Sequence, residues 1–218
     1  MIRYNPPAFR VEDPARLTRV IEAYPFAMLV SGSGDGIEAS HLPCLFRPDA
    51  EGAGSGTLRA HLARANPHWQ SLDGAQVLVI FQGPAHYVSP GWYPTKRENP
   101  AVVPTWNYVV VHARGRARVF HDVEPLRALV SDLTDHMESG RSVAGAFGDG
   151  DPWCVDDAPD DYVRRLLAQI VGIEIRVESL AGKFKLSQNR SAADQAGVRA
   201  GLAARDPQLL DAIERLKR

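Results

Sequence analysis

The stretch GKFKLSQNR at positions 182–190 concentrates side chains that could bind an anion. Phe184 and Leu186 alternate with two lysines in the two-residue period of a β-strand, so the lysines should share one face while the apolar pair faces the core. Cations on one strand face can hold a phosphate or a carboxylate. The alternative is a solvated strand that leads into a loop. The polar side chains of the stretch are Lys183, Lys185, Ser187, Gln188, Asn189 and Arg190.

The stretch HLARANPHW at positions 61–69 joins a strand pattern to a helix start. Asn66 and Pro67 suit the cap and the first position of a short helix, and Arg64 lies just before them. A helix N-terminus offers unpaired backbone N–H groups, which together with a guanidinium can hold a phosphate. Many helices begin with Asn-Pro and bind no ligand, so both interpretations stay open.

Aromatic residues lie beside turn residues in two later stretches. In a small β protein most such side chains belong to the core. Trp106 and Asn107 differ because they open a strand whose later residues are apolar. At that position an indole could stack on a planar heterocycle and an amide could hydrogen-bond it. The aromatic residues concerned are Tyr87, Trp92, Tyr93, Trp106 and Tyr108.

Seven histidines and two cysteines raise the question of a metal site. His41 and Cys44 are three positions apart on a predicted strand, so they face opposite sides and cannot both bind one ion without a bulge. Cys44 lies in an apolar strand, where thiols are usually inert. The sequence therefore predicts neither a metal site nor a catalytic cysteine.

The segments that must position these residues read as strands and amphipathic helices. Glycine-rich turns at 32–36 and 51–56 separate short strands, which favours a small antiparallel barrel with helices on its periphery. An acidic segment at 145–161 is expected to be a mobile loop. The predicted strands cover 26–31, 37–46, 57–63, 75–83, 106–120 and 172–187, and the predicted helices cover 13–24, 125–138, 161–170, 192–198 and 206–218.

Composition indicates an ordinary globular protein. The 218 residues are 44% hydrophobic, which suits one domain over 1–218 with a helical extension at about 191–218. A formal net charge of −1 gives no overall positive potential that would attract nucleic acid. Direct DNA binding is therefore not expected unless a local basic patch provides the contact. Two distant cysteines and the lack of a long apolar run predict a cytoplasmic protein that does not contact membranes.

Six stretches, in order, resemble the PaiB-like family of FMN-binding negative transcriptional regulators. They are ASHLP, HLARANPHW, FQGPAHYVSPGWY, VPTWNYVVVHARG, IVGIEI and GKFKLSQNR. The resemblance implies a mainly β fold with peripheral helices, namely an antiparallel Greek-key split β-barrel related to the pyridoxamine-phosphate-oxidase-like proteins. It also implies a homodimer that holds FMN between its subunits.

Carried onto this sequence, the resemblance implies that the flavin phosphate lies at the 61–66 stretch and the ring near Trp106 and Asn107. Residues 183–190 would approach from the same or the partner subunit. No catalytic residue is assigned. The candidate FMN-binding residues are His41, His61, Ala63, Arg64, Asn66, Trp106, Asn107, Lys183, Lys185, Gln188 and Arg190.

The function implied is that of a flavin-dependent regulator or an FMN-dependent oxidoreductase of unknown substrate. One alternative is a transcriptional regulator without turnover that acts through a small-molecule or protein partner. Another is a haem-binding split barrel, since haem proteins occur among related barrels.

Overall fold

The computed structural model describes residues 2–33, 36–49, 56–139 and 151–217. The predicted turns at 32–36 and 51–56 and the predicted loop at 145–161 lie wholly or partly outside these ranges. Within these ranges, eight antiparallel strands form one sheet, with five α-helices around it. The strands are β1 (Arg10–Val11), β2 (Phe26–Ser33), β3 (Gly36–Pro43), β4 (Leu45–Pro48), β5 (Gly56–Ala63), β6 (Gln76–Val88), β7 (Thr105–Phe120) and β8 (Ile170–Lys185). The helices are α1 (Pro14–Ala23), α2 (Val123–Glu138), α3 (Asp160–Leu167), α4 (Ala192–Arg205) and α5 (Pro207–Lys217).

The sheet is curved but not closed by hydrogen bonds in the described residues. Its strand order is β3-β2-β6-β7-β8-β5-β4, and β1 adds to β8. β3 and β4 therefore lie at the two ends of the order, although only Cys44 separates them in the chain. The backbone N–H of Cys44 donates to the carbonyl of Pro25 at 2.9 Å. The chain thus crosses the gap between the two sheet edges at this residue.

The main core lies on the concave face of the sheet. Alternate residues of β5, β7 and β8 point into it, as the strand period requires. α1 closes one side with Leu17, Val20 and Ile21, all fully buried. A second, smaller core lies under α2 and α3, where Phe120 packs against their apolar stripes. The open end of the barrel near the start of β7 is covered by α4 and α5.

Irregularities in the strands have local causes. In β6 the register shifts between Gln82 and Ala85 as a β-bulge, which lets a strand continue through Pro84. A second register shift occurs beside Gly115 in β7. A Cβ at Gly115 would lie 2.1 Å from the Arg176 carbonyl oxygen, so only glycine permits this approach.

The predicted mainly β fold with peripheral helices is confirmed, and several element boundaries are corrected. The strand predicted at 37–46 is divided at Cys44, and the strand predicted at 75–83 continues to Val88. The helix predicted at 161–170 ends at Leu167, and Ile170 already belongs to β8.

No helix in the described ranges is both long and apolar enough to cross a membrane.

Candidate functional site

Arg64 lies directly after β5 and is held by the turn between α3 and β8. Its Nε donates to the carbonyl of Ala168 and its Nη2 to that of Ile170, both at 2.9 Å. Its Nη1 lies 3.4 Å from Nδ1 of His121. A guanidinium has five N–H donors, so both terminal nitrogens keep donors for a further acceptor. Arg64 is therefore fixed in direction, exposed, and able to bind an anion.

Asn66 caps a 3₁₀ helix of five residues, Pro67–Ser71, where the sequence predicted a short helix. The Asn66 Oδ1 accepts from the backbone N–H of His68 at 3.0 Å, and its Nδ2 donates to the Ser40 hydroxyl at 3.0 Å. The cap side chain thus uses one of the N–H groups that a phosphate would need. The start of this helix therefore offers an anion fewer free backbone N–H donors than the sequence pattern suggested.

A buried polar network that sequence reasoning missed lies behind Asn66. His68 is 3% exposed, and its Nδ1 and Nε2 lie 2.8 Å from the hydroxyls of Ser40 and Ser31 respectively. Burial lowers the pKa of His68, while the charge of Glu38 acts in the opposite direction. The network joins β2, β3 and the 3₁₀ helix, and so fixes the backbone that carries Arg64 and Asn66.

His61 and Ala63 lie on the convex face of β5. His61 pairs with Gly172 of β8, and its Nδ1 is buried with no hydrogen-bond partner among the described residues. Burial lowers the pKa of His61. Ala63 is exposed. His61 therefore keeps a buried ring nitrogen without a hydrogen-bond partner in the described residues, three positions before Arg64.

A second group of candidates lies where β7 begins and β8 ends. Lys185 donates from Nζ to the carbonyl of Trp106 at 2.8 Å and to the hydroxyl of Thr105. The Trp106 side chain is 57% exposed and meets the Tyr87 ring edge to face, with 6.2 Å between ring centroids. An exposed indole beside an ammonium group is thus part of this end of the sheet.

Three cations converge here. Burial lowers the pKa of Lys185, and the charges of Lys183 and Arg190 lower it further. Lys183 is 7% exposed, and its Nζ donates to the Tyr4 carbonyl at 3.0 Å. Arg190 stacks over the Tyr93 ring at 4.9 Å. The ion pairs found within the described ranges include none of the three cations. None of the three charges is therefore neutralised by an ion pair within these ranges.

Gln188 and Asn107 point away from this cation cluster. Gln188 folds back onto its own segment, accepting from the N–H of Leu186 at 2.6 Å and donating to the carbonyl of Phe184. Asn107 is 3% exposed, and its Nδ2 donates to the Ser187 hydroxyl at 2.9 Å. Asn107 lies on the face opposite to Trp106, as strand alternation requires. One ring on the convex face cannot touch both.

His41 lies on the convex face of β3, apart from both groups. It is exposed and stacks on Phe26, with 6.3 Å between ring centroids. Cys44, three residues on, is 2% exposed, and burial raises the pKa of its thiol to about 12. Within the described residues, no three His, Cys, Asp or Glu side chains come together as a metal site.

The register of β8 separates the two groups of candidates. Ala63 pairs with Ile170 at one end of the strand, and Tyr108 pairs with Lys185 at the other. The 16 residues of β8 correspond to about 50 Å of strand. Arg64, which follows Ala63, and Lys185, the last residue of β8, therefore lie at opposite ends of this strand within one copy. The face prediction for 182–190 agrees with the structure, since Phe184 is 1% exposed and Leu186 packs against the core.

Comparison with known proteins places this geometry in context. Residues 3–179 match a family model described as "Putative FMN-binding domain". The protease synthase and sporulation protein PAI 2 of Bacillus subtilis is 32% identical over 196 residues, which cover 89% of this chain and 86% of that protein. An uncharacterized protein of Aspergillus fumigatus is 37% identical over 195 residues, 74% of each chain.

Two solved structures share the fold. The FAD and heme binding protein from Mycobacterium smegmatis superposes with a TM-score of 0.54 at 16% identity, covering 81% of this chain and 73% of that one. The flavocytochrome Anf3 from Azotobacter vinelandii also gives 0.54, at 11% identity, covering 81% and 69%. The predicted split β-barrel fold is confirmed. The family match ends before Lys183. It therefore covers the Arg64 group, which consists of His61, Ala63, Arg64 and Asn66, but not the cation cluster.

Proposed function

The chain belongs to the FMN-binding domain family that its residues 3–179 match, and from this premise we propose that it binds FMN at a site formed by two copies of the chain. The observation that carries the proposal is the cation cluster of Lys183, Lys185 and Arg190 beside the exposed Trp106. Within the described residues, no carboxylate forms an ion pair with the cation cluster. The exposed indole of Trp106 can stack on a planar ring.

The side chains present fit such a cofactor. Arg64 keeps guanidinium donors for a phosphate, and the cation cluster offers further donors. The exposed faces of Trp106 and Tyr87 suit a planar ring system. When bound, FMN would supply the redox chemistry, while these residues hold and orient it and exclude water.

The distance along β8 supports a site shared between copies. Because the Arg64 group and the cation cluster lie at opposite ends of β8, they cannot contact one mononucleotide within one copy. A two-fold axis would place the Arg64 group of one copy against the cation cluster of the other, and would form two equal sites.

The convex face of β2, β3 and β6 provides a surface for the second copy. Phe26 is 60% exposed and Ile37 is 82% exposed. The pairing register puts Met28 and Ile80 on the same face, which continues through His112 to the side of Lys183 and Lys185. An exposed apolar face beside both groups of candidates supports a homodimer.

Flavin-dependent oxidoreduction is the first role we propose, and flavin-dependent regulation through a small-molecule or protein partner is the second. The similarity to the Bacillus sporulation protein favours the second. A formal net charge of −1 does not favour direct DNA contact. Regulation would therefore act through such a partner. Both described cysteines are free, which supports a cytoplasmic setting.

The absorption spectrum of the purified protein, before and after incubation with FMN, tests the proposal. Flavin bands that remain after gel filtration, with FMN held more tightly than riboflavin, are the expected result. A Soret band without flavin bands would favour a haem protein instead, and equal affinities for FMN and riboflavin would remove the phosphate from the site.

A further inference from the structure

A small cavity lies between the concave side of the sheet and the C-terminal helix pair. Its volume is about 40 Å³, and it is bounded by residues of β6, β7, α4 and α5. A buried water needs roughly 10–15 Å³ measured in this way, so the cavity has room for about three such groups. The side chains that decide its chemistry are His86, Arg199, Leu202, Ile213, Glu214 and Lys217.

His86 is the unusual member of this set. It is 9% exposed, and both Nδ1 and Nε2 are buried with no hydrogen-bond partner among the described residues. Buried polar atoms normally have a partner, because leaving one unpaired costs free energy. Both nitrogens of one ring are unpaired here, at the wall of a cavity that can hold a ligand.

The charged side chains that line the cavity are Arg199, Lys217 and Glu214. The Glu214 carboxylate lies 2.9 Å from Lys217 Nζ and 3.7 Å from Arg199 Nη2, so two lining cations face one lining carboxylate. Asp206, at the exposed turn between α4 and α5, is the other titratable group that acts on His86, and its charge raises the pKa of the imidazole. Asn107 and Gln195 add two polar side chains to the lining, and the remaining residues, including Leu202 and Ile213, are apolar.

We propose that this cavity binds a small monocarboxylate, of the size of acetate, with one oxygen on a ring nitrogen of His86 and its alkyl end against Leu202 and Ile213. A protonated imidazole donates a charge-assisted hydrogen bond to a carboxylate, so the carboxylate is held best when His86 is protonated. Binding therefore takes up one proton from solvent for each carboxylate bound.

Burial lowers the pKa of His86 in the empty cavity. The free imidazole therefore holds a proton less readily than an exposed histidine, and the proton that accompanies carboxylate binding is taken up from solvent. Linkage then requires that affinity rise as pH falls, by about tenfold per pH unit, until the free imidazole itself titrates.

This cavity is distinct from the flavin site proposed above. His86 and Asn107 pair across β6 and β7 and face the concave side, whereas Trp106 and Lys185 face the convex side. α4 and α5 also lie beyond the range of the family match. The inference therefore stands or falls independently of FMN binding.

The experiment is a titration of the full chain with sodium acetate, followed through the imidazole ¹⁵N signals by NMR at pH 6 and pH 7. Sodium chloride and methylammonium chloride at equal ionic strength are the comparison salts. We expect saturable shifts of His86 with acetate alone and tighter binding at pH 6 than at pH 7. Unsaturable shifts, equal shifts with chloride, or binding that does not depend on pH would overturn the proposal.

Variants locate the site. His86→Gln should abolish acetate binding, measured by calorimetry, whereas His136→Gln, on α2 and outside the cavity, should leave it unchanged. If His86→Gln does not fold, Leu210→Phe tests the same cavity by filling it from a half-buried position while His86 is kept. Acetate binding that survives in the folded variant would show that the ligand binds elsewhere.

Discussion

Arg64 bonds backbone carbonyls with some of its N–H groups and keeps others for a ligand, so it affects both stability and ligand binding. Its bonds to the carbonyls of Ala168 and Ile170 fix the turn that precedes β8, and its remaining donors face solvent. The carbonyl bonds contribute to stability and the remaining donors to ligand binding. The effect of a substitution at Arg64 is therefore best measured as the ratio of two affinities, one for a ligand with a phosphate and one for a ligand without it. The affinity for a single ligand would not separate the two contributions.

Arg64→Ala should weaken FMN binding by about tenfold to a hundredfold and leave riboflavin nearly unchanged. A charge-assisted hydrogen bond contributes about 1.5–3 kcal/mol, and about 1.4 kcal/mol corresponds to tenfold in affinity. Fluorescence titration with both flavins measures the ratio. Arg118→Ala, which removes an exposed arginine paired with Glu174, is the matched control and should change neither affinity.

Ser40→Ala should lower the free energy of unfolding by about 1–3 kcal/mol. The Ser40 hydroxyl bonds both His68 Nδ1 and Asn66 Nδ2, so its removal leaves two groups without a partner. Urea unfolding followed by circular dichroism gives the value. Ser139→Ala, at the exposed end of α2, is the control; equal stability of the two variants would mean that the network does not stabilise the fold.

Residue types alone identified some of these positions and missed others. Arg64 and Lys185 were predicted as FMN-binding residues because a cation beside a strand end is visible in the sequence, and their role stays a prediction. The His68 network was not found, because Ser31, Ser40 and His68 are brought together only by the pairing of β2 with β3 and the placement of the 3₁₀ helix. No local signal records such a contact.

At the scale of elements, α4 holds the long connection between β6 and β7. The Asp194 carboxylate, on a residue that is 5% exposed, accepts from the backbone N–H of Thr95 at 3.3 Å and from its hydroxyl at 2.8 Å. Trp92 of the same connection packs against the face of α4 that carries Gly197 and Gly201. This connection leads into Trp106, so α4 contributes to the position of the exposed indole.

Gly201→Ala should therefore destabilise the protein, although alanine is the better helix former. A Cβ at this position would lie 2.4 Å from Cδ2 of Trp92, and overpacking of this kind costs about 1–3 kcal/mol. The melting temperature measures the effect. Gly32→Ala serves as control because nothing lies within 4 Å of its Cβ; a stabilised Gly201→Ala would mean that α4 is not packed against Trp92.

Helices were predictable from their end signals, and strand register was not. Asp13 accepts from the N–H of Ala15 at 3.0 Å ahead of Pro14, and Ser191 accepts from that of Asp194 at 3.2 Å, as their residue types predict. Alternation fixes the face of Lys185 but not its partner strand. The distance between Ala63 and Lys185 along β8 therefore needed the structure.

At the scale of the whole molecule, buried histidines make stability depend on pH. Burial lowers the pKa of His61, His68, His86 and His112 in the folded state. The unfolded chain, with histidine pKa values near 6.5, then binds more protons in mildly acidic solution. The free energy of unfolding should be constant above about pH 7 and fall as pH drops below about 6.5. Urea unfolding between pH 7.5 and 5.5 checks this, and a flat profile would contradict it.

Dimerisation and cofactor binding should be linked if each flavin contacts both copies. FMN should then shift the monomer–dimer balance towards the dimer, and Lys185→Glu should weaken both dimerisation and FMN binding. Sedimentation with and without FMN measures both. Arg165→Glu, an exposed charge reversal on α3, is the control. A monomer that holds FMN fully, or a Lys185→Glu variant unchanged in both properties, would show that the cation cluster is a solvated strand end.

The position of β8 in the chain affects how the protein is made. β1, β5 and β7 all pair with β8, so the N-terminal strand finds its partner only after residues 182 and 183 leave the ribosome. Earlier hairpins such as β2–β3 and β6–β7 can form while translation continues, but their sheet cannot be completed. Unpaired strand edges in such an intermediate are prone to aggregation. A nascent chain stalled before residue 170 should therefore be far more sensitive to protease than one released at full length.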